Sequence, residues 1–124
     1  MADIVFTDRE LDIMDVLWEQ GAATVSEVRD ALHDDLAYTT VLTILRTLEE
    51  KGYVTHDEAG RAHRYRPLVE KQAAEKSAVS RLVKKLFNGS PELLLTQLVA
   101  DRKLSAADLK RMRKLIDEQL KKGG

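Results

Sequence analysis

The 124-residue sequence contains no cysteine. That absence removes disulfide scaffolds, cysteine-ligated zinc, iron–sulfur clusters and thiol catalysis, and it agrees with a reducing compartment. Long apolar runs are also missing. None approaches the roughly 18 residues of a membrane span, so membrane insertion is not expected. The opening Met1-Ala2-Asp3-Ile4-Val5-Phe6 lacks the basic start and long apolar stretch of a secretory signal, and a cytoplasmic location is the expectation. Catalytic signatures are absent as well: there is no G-x-S-x-G elbow, P-loop, H-E-x-x-H or Gly-rich dinucleotide loop, and the scattered Ser, His and Asp follow no recognisable order. No enzyme and no cofactor are expected. His33, His56 and His63 are too dispersed in sequence to form a ligand cluster, so no metal site is expected either.

What is present suits a small soluble globular protein, with 44% hydrophobic and 33% charged residues. The 20 Lys+Arg and 21 Asp+Glu give a net charge of −1. That balance hides an asymmetry. Residues 1–67 hold seven basic and fourteen acidic side chains (7 − 14 = −7), whereas residues 68–124 hold thirteen and seven (13 − 7 = +6). All three Tyr, the single Trp and most Thr lie before the same point, while Lys and Leu crowd the stretch after it. The composition therefore predicts two domains, 1–68 and 69–124.

The first domain opens with Thr7-Asp8-Arg9-Glu10, a capping box that starts a helix whose apolar face is read as Leu11, Met14, Leu17 and Trp18 and whose end is Gly21. Thr24-Val25-Ser26-Glu27 repeats the box ahead of a short second helix of about two turns that ends near His33. A third helix is expected from Tyr38 to Lys51. Its Val41, Ile44, Leu45 and Leu48 face one way, and Thr39, Thr40, Thr43 and Thr47 face another. Threonine is a mediocre helix former, so four on one solvated face are not explained by helix propensity. After Gly52, a strand at Tyr53–His56 is expected to turn at Ala59-Gly60 and return as Arg61–Arg66.

Three helices followed by a two-stranded hairpin form a winged helix-turn-helix, so the expected fold class is mainly α, with an α-helical second domain. The scaffold presents a helix about 10–12 Å across, which fits a duplex DNA major groove of about 12 Å, and a hairpin that can rest on the adjoining backbone. Threonine hydroxyls can meet phosphates or base edges, and their methyl groups can touch the thymine methyl. The expected DNA-binding residues are Thr39, Thr40, Thr43, Arg46 and Thr47 on helix three and Arg61, His63 and Arg64 on the hairpin, where no acid follows Glu58. The acidic balance of residues 1–67 is unusual for a DNA binder. Five of the fourteen acids sit on helix one, however, and charges beyond about 8 Å are largely screened at physiological salt. The competing expectation is a winged-helix protein–protein interaction module without DNA binding, which an acidic surface permits.

The second domain reads as a helix from about Glu70 to Phe87, a turn at Phe87-Asn88-Gly89, a helix capped by Ser90-Pro91, and a last helix capped by Ser105. Val79, Leu82 and Leu86, then Leu94 and Leu98, then Leu109, Met112 and Ile116 are the expected dimer contacts. Three helices in about 55 residues have too little interior to bury so many apolar side chains, and a second copy supplies what is missing. Twofold symmetry would then place two third helices on half-sites about 34 Å apart.

Leu36-Ala37-Tyr38-Thr39-Thr40-Val41-Leu42-Thr43-Ile44-Leu45, Leu48-Glu49-Glu50-Lys51-Gly52 and Arg61-Ala62-His63-Arg64-Tyr65-Arg66-Pro67 resemble the penicillinase-repressor family of the BlaI/MecI/CopY type. The likeness continues through Phe87-Asn88-Gly89-Ser90 and Leu104-Ser105, covering nearly the whole chain. It implies a homodimeric transcriptional repressor on a dyad-symmetric operator, controlling β-lactam-response genes. It also implies relief by proteolysis in the dimerisation domain, with a membrane sensor or protease as a further partner. Two positions depart from the pattern. Gln97-Leu98 stands where antibiotic-responsive members carry a scissile Asn-Phe, and the cysteines of the copper-responsive members are missing, which excludes copper sensing through such a site.

Overall fold

The computed structural model describes residues 3–101 and 103–123, with the side chain of Ala59 outside the description. The elements run α1 (Asp8–Gln20), β1 (Ala23–Thr24), α2 (Val25–Ala31), α3 (Tyr38–Glu50), β2 (Val54–Ala59), β3 (Ala62–Pro67), α4 (Lys71–Leu86), α5 (Pro91–Ala100) and α6 (Ala106–Gly123). This is the expected winged helix followed by helices. Contacts divide the chain into Met1–Val79 and Ser80–Gly124.

Both expected capping boxes form: Thr7 Oγ1 accepts from the Glu10 N–H (3.1 Å) and Thr24 Oγ1 from the Glu27 N–H (3.2 Å), and each glutamate accepts from the backbone N–H of its threonine. The buried face of α1 differs from the expected one. It comprises Glu10, Ile13, Met14, Val16 and Leu17, while Leu11 is exposed and Trp18 is half-buried. The true stripe, Glu10-Ile13-Met14-Leu17, keeps helical spacing but begins on a charged residue. Glu10 tolerates that position because Lys51 Nζ donates to both of its carboxylate oxygens, at 3.1 and 2.8 Å. Burial alone would push this carboxyl up. The Lys51 hydrogen bond and the Thr7 N–H outweigh it and hold Glu10 below the usual glutamate range.

The hairpin gains a third strand. β1 pairs antiparallel with β3, setting Ala23 opposite Tyr65 and Thr24 opposite Arg64, and the sheet order is β1-β3-β2. Two residues carry too little pattern to announce a strand. Beneath the sheet, Ile13, Met14, Leu17, Val28, Val41, Leu45 and Leu48 are completely buried. Phe6 packs edge-on against Trp18 and Tyr53, with centroids 6.0 and 4.9 Å away. The first unit continues past Leu68 into α4. The Trp18 indole N–H donates to Val69 O at 2.9 Å, the Ile4 N–H donates to Ser77 Oγ at 3.0 Å, and Ala74 is buried.

In the second unit α4 ends on Asn88 and Gly89, at φ +51° and +76°, the left-handed pair that lets the Gly89 N–H close on Val83 O. Ser90 Oγ caps α5 by accepting from the Leu93 N–H (3.3 Å), and Ser105 Oγ caps α6 by accepting from the Asp108 N–H (3.0 Å). No described residue of α5 or α6 is buried. Of the expected dimer contacts, Val79, Leu82, Leu86, Leu98, Leu109 and Ile116 are exposed, and Leu94 and Met112 are half-buried.

Candidate nucleic-acid interface

α3 is amphipathic in an unusual way. Val41, Leu45 and Leu48 are fully buried, and at about 100° per residue the opposite arc carries Thr39, Thr40, Thr43, Arg46 and Thr47. Thr39, Thr40, Thr43 and Arg46 are exposed, and Thr47 is half-buried. The exposed Glu50 ends the same stripe, one turn beyond Arg46. The threonines are not equivalent. Thr43 Oγ1 donates to Thr39 O (2.9 Å) and Thr47 Oγ1 to Thr43 O (3.0 Å), whereas the hydroxyls of Thr39 and Thr40 make no hydrogen bond among the described residues. Unlike α1 and α2, α3 has an alanine, Ala37, as N-cap, and no side chain caps its first turn.

A Schellman turn sends the chain from α3 into the wing. The Tyr53 N–H donates to Leu48 O and the Gly52 N–H to Glu49 O, both at 3.0 Å, and Gly52 takes the left-handed φ of +84° that this closure needs. β2 and β3 then pair from Val54↔Pro67 to Ala59↔Ala62, leaving Gly60-Arg61 as a two-residue loop. Gly60 has φ +65° and Arg61 keeps negative φ, as in a type II′ turn, so Arg61 stands at the wing tip.

One wing face adheres to α3. His56 Nδ1 lies 2.8 Å from Glu49 Oε2, the His56 and His63 rings stack at 4.4 Å and 13°, and Tyr65 is buried beside them. Burial, reinforced by the Glu49 charge, pushes the Tyr65 hydroxyl above its ordinary pKa.

The ion pairs sort the cations. Arg64 Nη1 is 3.2 Å from Glu27 Oε1 and its Nη2 donates to Ala22 O at 3.4 Å; Arg66 pairs with Asp57 at 3.1 Å; Arg9 pairs with Asp34. His63 lies 3.9 Å from Glu58. Hydrogen bonds from Thr24, aided by Arg64, hold the Glu27 carboxyl below the usual range. Arg46 and Arg61 make no ion pair among the described residues. Both line an open cleft of about 280 Å³ between α3, the wing and the start of α2, together with Tyr38, His63 and Ser26. Asp12, Asp15, Glu19 and Asp34 line a second cleft of about 330 Å³ that shares no residue with the first.

The structure thus brings Arg46, Arg61 and His63 to one cleft beside the threonine stripe, and it engages Arg64 with α2. Sequence reasoning missed the Arg64–Glu27 and His56–Glu49 pairs. For the first no local signal exists, because the partners lie on separate elements. For the second, the hairpin register would have placed His56 beside Tyr65 and near the end of α3.

A three-helix core followed by a β-wing, with the exposed threonine face of α3 beside it, defines a winged helix-turn-helix protein. The chain belongs to the penicillinase repressor family, which it matches over residues 6–118. It is 45% identical over 64 residues to the transcriptional regulator BlaI of Mycobacterium tuberculosis, covering 49% of this chain and 46% of the relative, so the match spans about half of that relative's length. It is 22% identical over 114 residues to the penicillinase repressor of Bacillus licheniformis, covering 90% and 89% of the two chains. Among solved structures, the DNA-binding domain of the repressor BlaI superposes with a TM-score of 0.51 at 28% identity, over 55% of this chain and 85% of that one. The Bacillus licheniformis BlaI monomer in complex with the blaP half-operator gives 0.50 at 27% identity, over 58% and 90%. The first relative is a transcriptional regulator and the second, like the family, a penicillinase repressor, a class without enzymatic activity.

Proposed function

We propose that this protein is a cytoplasmic, homodimeric repressor that binds a dyad-symmetric operator through α3 and the wing. The observation that carries this reading is the threonine stripe of α3 flanked by Arg46 and Arg61, cations that make no ion pair among the described residues. α3 enters the major groove, where Thr39, Thr40, Thr43 and Thr47 meet bases and the nearest phosphates. Arg46, Arg61 and His63 hold the flanking backbone. Arg64 already holds Glu27 and Ala22 O, so its first role is to fix the wing on α2, with the Glu27 carboxylate offsetting its charge toward phosphates. The solved half-operator complex of the Bacillus licheniformis relative supports duplex DNA as the ligand.

The second unit supplies the dimer. Leu82, Leu86, Leu98, Leu109 and Ile116, exposed in the single chain, are the surface a second copy covers, with Val79, Leu94 and Met112 at its margin. The genes it controls belong to the β-lactam response, a reading supported by relatives such as the methicillin resistance regulatory protein MecI of Staphylococcus aureus. Relief comes from a sensor-linked protease that cuts the second unit. The Gln97-Leu98 bond lies inside α5, so cleavage there requires that helix to unwind first.

Salt separates this reading from a protein-interaction module. Operator affinity should fall steeply between 50 and 200 mM salt, as released counterions require, and Arg61→Ala should flatten the log–log slope by about one unit per half-site. Binding that ignores salt, or a slope unmoved by Arg61→Ala, contradicts the proposal.

A further inference from the structure

The four threonines of the α3 stripe divide by what their hydroxyls already do. Thr43 and Thr47 each donate their single hydroxyl hydrogen to the carbonyl one turn back, at 2.9 and 3.0 Å. A threonine has one O–H to give. Thr39 and Thr40, in the first turn, keep theirs among the described residues. The back-bond has a second effect, because it selects one side-chain rotamer of a residue that is stiff at χ1, and so fixes where the γ-methyl stands.

Resting on the DNA-binding reading, we infer that Thr43 and Thr47 determine specificity through their γ-methyl groups, against the 5-methyl of thymine in the major groove, while Thr39 and Thr40 act as hydroxyl donors. The alternative partners of a threonine are narrowed by chemistry. A phosphate or a purine N7 needs a donor, and the donors of Thr43 and Thr47 are committed to the helix. Breaking the back-bond to free one would leave a backbone carbonyl without that partner. The methyl needs no such exchange. Thymine is the base that presents a methyl in the major groove, so a fixed threonine methyl reads T against the other three bases. The exposed position of Thr43, near the middle of the stripe, makes it the principal reader, and the half-buried Thr47 the secondary one.

The test uses the full chain and a duplex selected from a random library, resynthesised with each thymine replaced in turn by deoxyuridine, which removes only the methyl. Thr43→Val keeps a methyl and discards the hydroxyl; Thr43→Ser does the reverse. Thr43→Val should bind within about twofold of the parent. Thr43→Ser should lose about fourfold per half-site, the worth of one buried methyl group. One deoxyuridine position should cost the parent the same factor and cost Thr43→Ser nothing further. At Thr40 the order should invert, with the serine variant tolerated and the valine variant weakened. If no sequence is enriched, the DNA-binding reading itself fails. If a sequence is enriched but Thr43→Val loses more than Thr43→Ser, or no deoxyuridine position matters, DNA binding stands and the methyl assignment is overturned.

Discussion

In the first unit Ile13, Leu17, Val41, Leu45 and Leu48 retain no exposed surface, whereas in the second Leu86, Leu115 and Leu120 are 68%, 65% and 69% exposed. The contrast does not follow from composition, since both stretches carry apolar stripes at helical spacing. It follows from what each stripe has to pack against. α1, α2 and α3 close around one interior beneath a three-stranded sheet, so each apolar face finds two others. α5 and α6 hold their apolar residues without burying one. A unit of the first kind can fold alone and display a chemical face. One of the second kind needs another surface, and its stability depends on the concentration of that surface.

Four experiments press on this difference. Removing residues 80–124 should abolish dimerisation and lower operator affinity by about 10²–10⁴-fold, the avidity that joins two half-sites, while residues 1–79 keep a cooperative melt. Equilibrium ultracentrifugation and fluorescence anisotropy read the two effects. A dimer that survives the truncation would reverse the roles of the units. Next in size, Leu17→Ala should cost about 2–5 kcal/mol in denaturant unfolding at any protein concentration, because it opens a cavity in a closed core. Ile116→Ala should instead shift the midpoint only as protein concentration falls. Equal behaviour of the two variants would erase the comparison.

How much of this was legible in the sequence depends on range. The capping boxes at Thr7 and Thr24, the Gly52 turn and the stripe of α3 are set by residues within four or five positions, and all appear as read. The buried face of α1 lies one step from the stripe that apolar spacing predicts, because a charged residue, Glu10, occupies a core position. Its licence comes from Lys51, 41 residues away. The charge of the wing departs from its local sequence for a similar reason. No acid follows Glu58 on the return strand, but Asp57 and Glu27 reach Arg66 and Arg64 from β2 and α2. Of the cations read on the hairpin, that leaves Arg61 at the tip of the wing without an ion pair among the described residues, and on α3 it leaves Arg46.

Glu10 supplies a third experiment. Its folded pKa is depressed, so its contribution is fully present above the ordinary glutamate pKa and is lost as pH falls through the lower folded value. Glu10→Gln should lower stability by about 1–3 kcal/mol at pH 7 and flatten the acid limb of the stability curve. A variant that melts in parallel with the parent between neutral and acid pH would refute the buried pair. The smallest effect separates the two wing arginines. Arg64→Ala should cost about 1 kcal/mol of stability or less, as a half-exposed ion pair, and leave the salt slope of DNA binding near the parent value, opposite to Arg61→Ala. Interchanged behaviour would exchange their roles.

The central claim, that the hydroxyl-bearing side of α3 faces nucleotides, is tested most directly by amide and threonine-methyl NMR during titration with the selected operator duplex. Resonances of Thr39, Thr40, Thr43, Arg46, Thr47, Arg61 and His63 should shift or broaden in proportion to bound duplex, while Asp12, Asp15 and Glu19 on α1 stay unmoved. Duplex binding with residues 39–47 silent would contradict it.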